Sequence, residues 1–452
     1  MLFCSTTSCK KFLDEKSNDQ LRVPTTIEDL QALLDDAVKM NEGTTPCFGE
    51  ASNDDYYLLE SAYTSRPEDE RNVYRWIPTD YDYGGLGNDW SLSYLPVYNS
   101  NLCLERIKSI SLNATNAVQW NNVKGSALFY RAYYFSQLAW IYVKGYDNTT
   151  SATDLGIALR LNSDFNIPSK RATAEDTYQQ IISDAKESIR LLPILSSHPY
   201  RPSRASAYGL LARTYLSMRQ YGNALLYADS CLQLRNELMD YNAPCASCDV
   251  ISTSATVTIP FKKFNKETIF YTSMSIEFPF AIASPSRAKV DTALFLSYSS
   301  NDLRKSTYFL SSTGWRFKGS YTQNITTLFT GIATDEMYLI RAECYARAGD
   351  KTSALADLNM LLRKRHTGTF TDITATDAAD ALNKILLERR KELLMRGLRW
   401  IDIKRLNKEG RNIIPTRLIA GQTYVLQPNA NYYALPLPTD IINLTEMPQN
   451  PF

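Results

Sequence analysis

SAYGLLARTYLSMRQYGNALLYADSCLQL (residues 206–234) and DEMYLIRAECYARAGDKTSALADLNMLLRKR (residues 335–365) share one spacing. In the first, Ala212 is followed three positions on by Tyr215 and twelve positions on by Ala224; Ala342, Tyr345 and Ala354 repeat the relation in the second. Small residues at these places let two antiparallel helices approach closely, while the aromatic ring fills the space beside them. Gly222 and Gly349 are expected between the helices of each pair, where a turn residue is needed. This is the pattern of tetratricopeptide-like helix pairs, with a repeat of about 34 residues.

Flanking segments extend the pattern. Residues 123–145 place Ala127, Tyr130, Tyr134, Leu138 and Ile141 on one helical face. Thr173, with Asp176 three positions later, reads as the N-cap of a helix running to a stop at Pro193. Trp90 opens a helix ending near Ile110 and reads as core. The two best copies are about 100 residues apart in the chain, unlike an uninterrupted binding solenoid. The segment between them, 237–333, holds β-branched or alternating runs such as VISTSATVTIPF and ETIFYTSMSIEF, which predict strands. It then passes through Ser/Thr-rich loops around Trp315 to a helix start near Thr334. Residues 41–98 are rich in Gly, Asp, Asn and Tyr and read as a second irregular region. The expected fold is therefore mainly α, with helix pairs at about 123–235 and 334–406. They would pack against loop-rich regions at about 41–98 and 237–333 that carry minor β elements. Long ordered loops on a rigid scaffold are where function tends to sit.

Composition narrows the function. Lys+Arg is 49 against Asp+Glu 48, so no overall field favours nucleic acid. No run of 18 apolar residues occurs, so no helix is expected to span a membrane. Of the eight cysteines only Cys245 and Cys248 are close, in APCASCD, as either a local loop disulfide or two free thiols. With two histidines in the chain, a four-ligand zinc site has too few partners, and no metal or cofactor is expected. The 29 tyrosines suit either wet, sugar-stacking surfaces or helix-pair packing.

The start, MLFCSTTSCKKFLDEKSND, places small residues before Cys9, as in the tail of a bacterial lipoprotein signal. A charged leader and a full apolar stretch are missing before it. Residues 1–20 are read as a signal remnant and tether with Cys9 lipidated, and residues 21–452 as one domain. Such a protein is anchored to a membrane without spanning it.

A further stretch, LERRKELLMRGLRWIDIKRL (387–406), has seven basic and three acidic side chains. Their interleaving argues against a polyanion-binding face. Gly397 is expected to divide a helix from a second short segment, with Arg399, Asp402 and Arg405 in internal ion pairs and Trp400 buried.

Along nearly its whole length the chain resembles the SusD/RagB-like outer-membrane lipoproteins of the Bacteroidetes. SerCysLysLysPheLeuAsp at 8–14 is similar to the family's S-C-x-K-F-L-D. KGSALFYRAYYFSQL (124–138) resembles its R-A-x-x-x-F-x-L helix, and LGIALRL with IPSKRATAEDTYQQIISD resembles a further block, Ala158 replacing the usual Pro. The strongest match is Glu388, Arg389, Glu392, Leu393, Gly397, Arg399, Trp400, Asp402 and Arg405, against E-R-x-x-E-L-x-x-x-G-x-R-W-x-D-x-x-R. The end, LPLPTDIINLTEMPQNPF, departs by stopping at Phe452 without Gly-Tyr. The resemblance implies a helical scaffold with a loop-rich ligand face and a lipid anchor at the cell surface. It also implies a SusC-like TonB-dependent transporter as partner, and an oligosaccharide, or in some members a peptide, as ligand.

No G-x-S-x-G, P-loop, H-E-x-x-H or Rossmann turn is present. Glu388 and Glu392 share a helical face, but arginine neighbours would hold them ionised and so remove a general acid. The chain is thus expected to bind without catalysis. Aromatic rings stack on the apolar face of a pyranose while Asp, Asn and Arg bond its hydroxyls. The candidate ligand residues are Trp76, Tyr81, Tyr83, Asn88 and Asp89 in one loop, with Trp315, Arg316 and Tyr321 near another. The competing functions are peptide capture, a tetratricopeptide scaffold for protein partners, and a polysaccharide-degrading enzyme.

Overall fold

The computed structural model describes residues 24–78, 88–275, 288–312 and 314–451. Nine of its helices carry the scaffold: α1 (Asp89–Arg106), α2 (Ala117–Tyr142), α3 (Ala174–Leu191), α4 (Arg204–Ser217), α5 (Tyr221–Leu234), α6 (Thr334–Arg347), α7 (Lys351–Arg363), α8 (Ala378–Glu392) and α9 (Arg399–Asn407). Each of the first eight packs on its neighbour in this order, including α5 on α6. The intervening segment therefore leaves the scaffold and returns to it. Arg341 of α6 crosses that junction, bonding Asp229 of α5 at 2.7 Å and Asp357 of α7 at 2.8 Å.

Local chemistry sets the helix ends. Thr173 caps α3, its hydroxyl accepting from Asp176 N, and α3 stops before Pro193. Ser203, Asp350 and Asp377 cap α4, α7 and α8 in the same way. Gly349 takes φ +85° in the turn between α6 and α7, as its position predicts. Gly222 does not: it lies inside α5, and the left-handed residue of that turn is Arg219, at φ +61°. The likeness of the two repeats lies in the packed alanines, all four of which are buried. The turns differ.

Helix α2 is apolar nearly all round from Val123 and is enclosed by α1 and α3. Its tyrosines bury their rings and spend their hydroxyls on distant segments: Tyr130 bonds Tyr200 O at 2.7 Å, Tyr134 bonds Met40 O at 2.6 Å and Tyr133 meets Thr272 at 2.7 Å. These tyrosines are packing residues. Arg131 pins α2 to α3 through a bidentate pair with Asp184, at 2.7 and 2.8 Å.

The strand expectations need correction. VISTSATVTIPF forms no strand, only an isolated bridge from Val250 to Phe261. Ser252 and Ser254 hydroxyls accept from the backbone N–H groups two residues on, which supplies local partners in place of a ladder. In the described part of ETIFYTSMSIEF, residues 267–275, only Thr268–Phe270 is a strand, antiparallel to Ile332–Ala333 just before α6. The region 41–98 is less irregular than its composition suggests. Its described part holds short helices at Phe48–Ser52, Glu60–Thr64 and Glu68–Tyr74 and a strand at Tyr56–Leu58.

Candidate functional site

The site begins with the charged stretch around Gly397, because that stretch holds two separate arms of the protein. On one side, Arg399 makes a bidentate pair with Asp54 at 2.7 and 2.8 Å, and Arg390 pairs with Asp55 at 2.8 Å. Burial opposes ionisation of Asp54, but Arg399 and Arg390 outweigh it and hold its pKa well below the usual range. Gly397, at φ +73°, donates its N–H to Glu50 at 2.9 Å. These bonds fix the chain that runs into strand Tyr56–Leu58.

On the other side, Arg304 lies between Asp302, Glu388 and Glu392 at 2.6–2.9 Å. Arg365 joins Glu392 to Glu267 at 2.8 and 2.7 Å. Glu392 is fully enclosed, yet Arg365 and Arg304 overcome that burial and keep its pKa lowered. Tyr298 bonds Lys391 O at 2.8 Å. These contacts fix the segment entering an antiparallel hairpin, Phe309–Ser312 with Gly314–Phe317. Behind both arms, Asp402 bridges Arg389 and Arg405, and Arg405 reaches Glu343 of α6. Trp400 is buried on Tyr433 with ring centroids 4.9 Å apart.

The arms meet. Strand Tyr56–Leu58 pairs antiparallel with Ala288–Val290, and the hairpin packs on that second strand. A side chain at Gly314 would come within 2.9 Å of the Tyr57 hydroxyl and 3.3 Å of Lys289 Cγ. Lys289 Nζ donates to Ser312 at 3.0 Å. On the opposite side of the hairpin Trp315 stacks on Phe295, centroids 3.9 Å apart and planes 13° apart. Two half-buried rings, Tyr57 and Trp315, therefore flank a hairpin end where Ser311 and Ser312 are exposed.

The predicted ligand residues are distributed unevenly around this face. Trp315 and Arg316 are on it. Trp76 is buried beneath, its indole donating to Ser52 O at 2.8 Å and its ring against Arg417, which also contacts Tyr56 and Tyr74. Asn88 caps α1 and donates to Asp440, and Asp89 accepts from Cys47 N and Phe48 N at 2.7 and 2.8 Å. Burial pushes the Asp89 carboxyl up to about 7. Tyr321 is fully buried, donating to Glu267 at 2.6 Å. These four side chains make their bonds inside the protein. Tyr81, Tyr83 and Cys9 lie outside the described residues. Sequence reasoning missed Tyr57 and Lys289, which are not distinguished in the chain until the two arms come together.

A separate cavity of about 550 Å³ opens beside α1, lined by Trp90, Tyr94, Tyr98, Phe165, Ile441 and Met447 among others. None of the predicted ligand residues lines it. Cys245 and Cys248 form a disulfide. Among the described residues no helix is long and apolar enough to cross a membrane, and no cluster of His, Cys, Asp and Glu could hold a metal ion.

The model of a SusD-like family described as starch-binding and associating with the outer membrane matches residues 11–216, and the SusD family model matches residues 256–452. The chain belongs to the SusD family. Solved SusD-family structures share its fold. A SusD superfamily protein from Bacteroides thetaiotaomicron has a TM-score of 0.77 at 19% identity, covering 94% of this chain and 100% of that one. A SusD-like carbohydrate binding protein from Bacteroides vulgatus has a TM-score of 0.68 at 19% identity, covering 94% and 97%. SusD-like protein P38 of Formosa agariphila is 35% identical over 79 residues, so the match spans only 16% of that relative and 16% of this chain. The mainly helical fold expected from the paired repeats, and the SusD fold that the resemblance implies, are the fold observed.

Proposed function

We propose that the chain is a cell-surface lipoprotein that captures a glycan across the hairpin end flanked by Trp315 and Tyr57. It then passes the glycan to a SusC-like TonB-dependent transporter, with lipid on Cys9 as the anchor and residues 21–452 as one binding domain. The observation that carries the glycan reading is the half-buried Trp315 ring, held flat on Phe295 beside the exposed Ser311 and Ser312, in a family described as starch-binding. A flat apolar ring with polar groups at its edge matches the two-faced surface of a pyranose. Glu392, held ionised by two arginines, is unsuited to protonate a leaving group.

Affinity electrophoresis through gels containing single polysaccharides tests this. Retardation in at least one gel without product formation is expected, weakened about tenfold by Trp315→Ala, which corresponds to about 1.4 kcal/mol of lost contact. Retardation unaffected by Trp315→Ala would place the ligand elsewhere, and release of reducing sugar would make the protein an enzyme. Copurification with a TonB-dependent transporter, and palmitate incorporation lost in Cys9→Ala, are the expected results for partner and anchor.

A further inference from the structure

The arginines enclosed around the site are bonded within the protein, and one departs from that. Arg304, Arg365, Arg396, Arg399 and Arg405 each close on at least one carboxylate, and Arg417 donates to the Tyr56 and Asn53 carbonyls. Arg316 does neither. It is 8% exposed, and its Nε and one Nη, both out of contact with solvent, have no hydrogen-bond partner among the described residues. Its cross-strand neighbour is Leu310, which offers no side-chain acceptor. A charged group acting on the same space is Lys289, also buried, and the two cations repel, lowering the Lys289 pKa beyond what burial alone does. An enclosed guanidinium with neither an anion nor acceptors for its N–H groups is costly, and folded chains keep such a group where something else compensates it.

The strand geometry shows where that compensation would enter. Side chains alternate along a strand, so Arg316 shares a face with Gly314, while Trp315 takes the other. The Gly314 face is directed at Tyr57 and Lys289. Arg316 therefore lies on the Tyr57 side of the hairpin, two residues from Gly314.

We propose that Arg316 is a specificity-determining residue that binds an oxyanion, the carboxylate of a uronic acid or a sulfate ester, carried by the glycan at this face. The inference rests on the glycan reading above and narrows it to acidic glycans. A planar guanidinium takes a carboxylate or sulfate with two parallel hydrogen bonds, and Lys289 adds a second positive charge to the same space. Neutral sugars offer hydroxyls, which satisfy the donors but leave the charge unbalanced.

The test runs the full chain through gels containing polygalacturonate, chondroitin sulfate or neutral amylopectin. The expected result is stronger retardation by an acidic polymer, reduced at least tenfold in Arg316→Gln and partly restored in Arg316→Lys. Preference for amylopectin, or equal retardation of wild type and Arg316→Gln by the acidic polymers, overturns the inference and leaves the glycan reading standing. A wider panel of neutral and acidic polymers with no retardation in any gel overturns both. Without ligand, Arg316→Gln is expected to melt at the wild-type temperature or above, because it removes an uncompensated charge. A fall of several degrees would mean that Arg316 already has an internal partner, and would also overturn the proposal.

Discussion

Trp400→Ala should destabilise the protein by about 3–5 kcal/mol. The residue is 1% exposed, its ring tilted 33° against Tyr433, and the backbone of the short helix Phe48–Ser52 lies on it at Gly49. A tryptophan buries ~150–250 Å². At about 25 cal/mol per Å² that is ~4–6 kcal/mol, and a compact unfolded chain reduces it by roughly 10–40%. Hydrogen bonding adds nothing, since the indole Nε1 has no partner among the described residues. The remainder agrees with the ~3–5 kcal/mol seen when large aromatic residues are cut to alanine in protein cores. Unfolding entropy of about 2.1 cal/mol/K per residue converts this to a Tm fall of roughly 3–5 °C for a chain of 452 residues. Urea titration followed by circular dichroism reads the same change as a lowered midpoint at constant slope. Trp400→Phe keeps a ring against Tyr433 and removes the lone buried N–H, so it should cost far less. A midpoint unmoved by alanine, or an equal loss from phenylalanine, would refute the packing argument.

Two further substitutions test the same junction. Gly397→Ala should cost about 1–2 kcal/mol through left-handed backbone strain at φ +73°, since its new methyl would meet Thr330 only at an ordinary 3.4 Å; an unchanged denaturation midpoint would contradict this. Glu50 is raised to about 8, chiefly by burial and then by the charge of Asp55, with bonds from Asn53 and Gly397 opposing. A raised folded pKa gives stability that is present below the ordinary value near 4.5 and lost as pH rises through 8. Glu50→Gln cannot lose a proton, so its Tm should fall less between pH 5 and 8 than that of the wild type. Parallel curves would show that Glu50 does not titrate in that window.

The scaffold was legible because its determinants are local or repeat. Ala212 with Ala224, and Ala342 with Ala354, report helix contact within each pair, and Thr173 reports a cap only three residues from its partner. Gly222 misled because a turn needs one left-handed residue somewhere within a few positions, and Arg219 supplies it here. VISTSATVTIPF misled because alternation marks a strand only when a partner strand is present to take its hydrogen bonds.

The candidate site was legible as composition and not as geometry. Trp315 and Arg316 were identifiable as an aromatic and a cation in a loop, but the same reasoning also chose Tyr321, Asn88 and Asp89, whose bonds turn inward. Nothing local separates the two groups. The sequence by itself determined the helix pairs, the burial of Trp400 and the internal pairing of the charges around it, because period, caps and interleaved charge act over a few residues. Only the tertiary structure decided which opposite charges those side chains meet: Asp54 for Arg399, Glu343 for Arg405, Arg304 for Glu388 and Glu392. These partners are tens to hundreds of residues away in the chain. By joining them, the stretch at 387–406 brings Tyr57 and Trp315 to one hairpin end and leaves Arg316 there without a carboxylate.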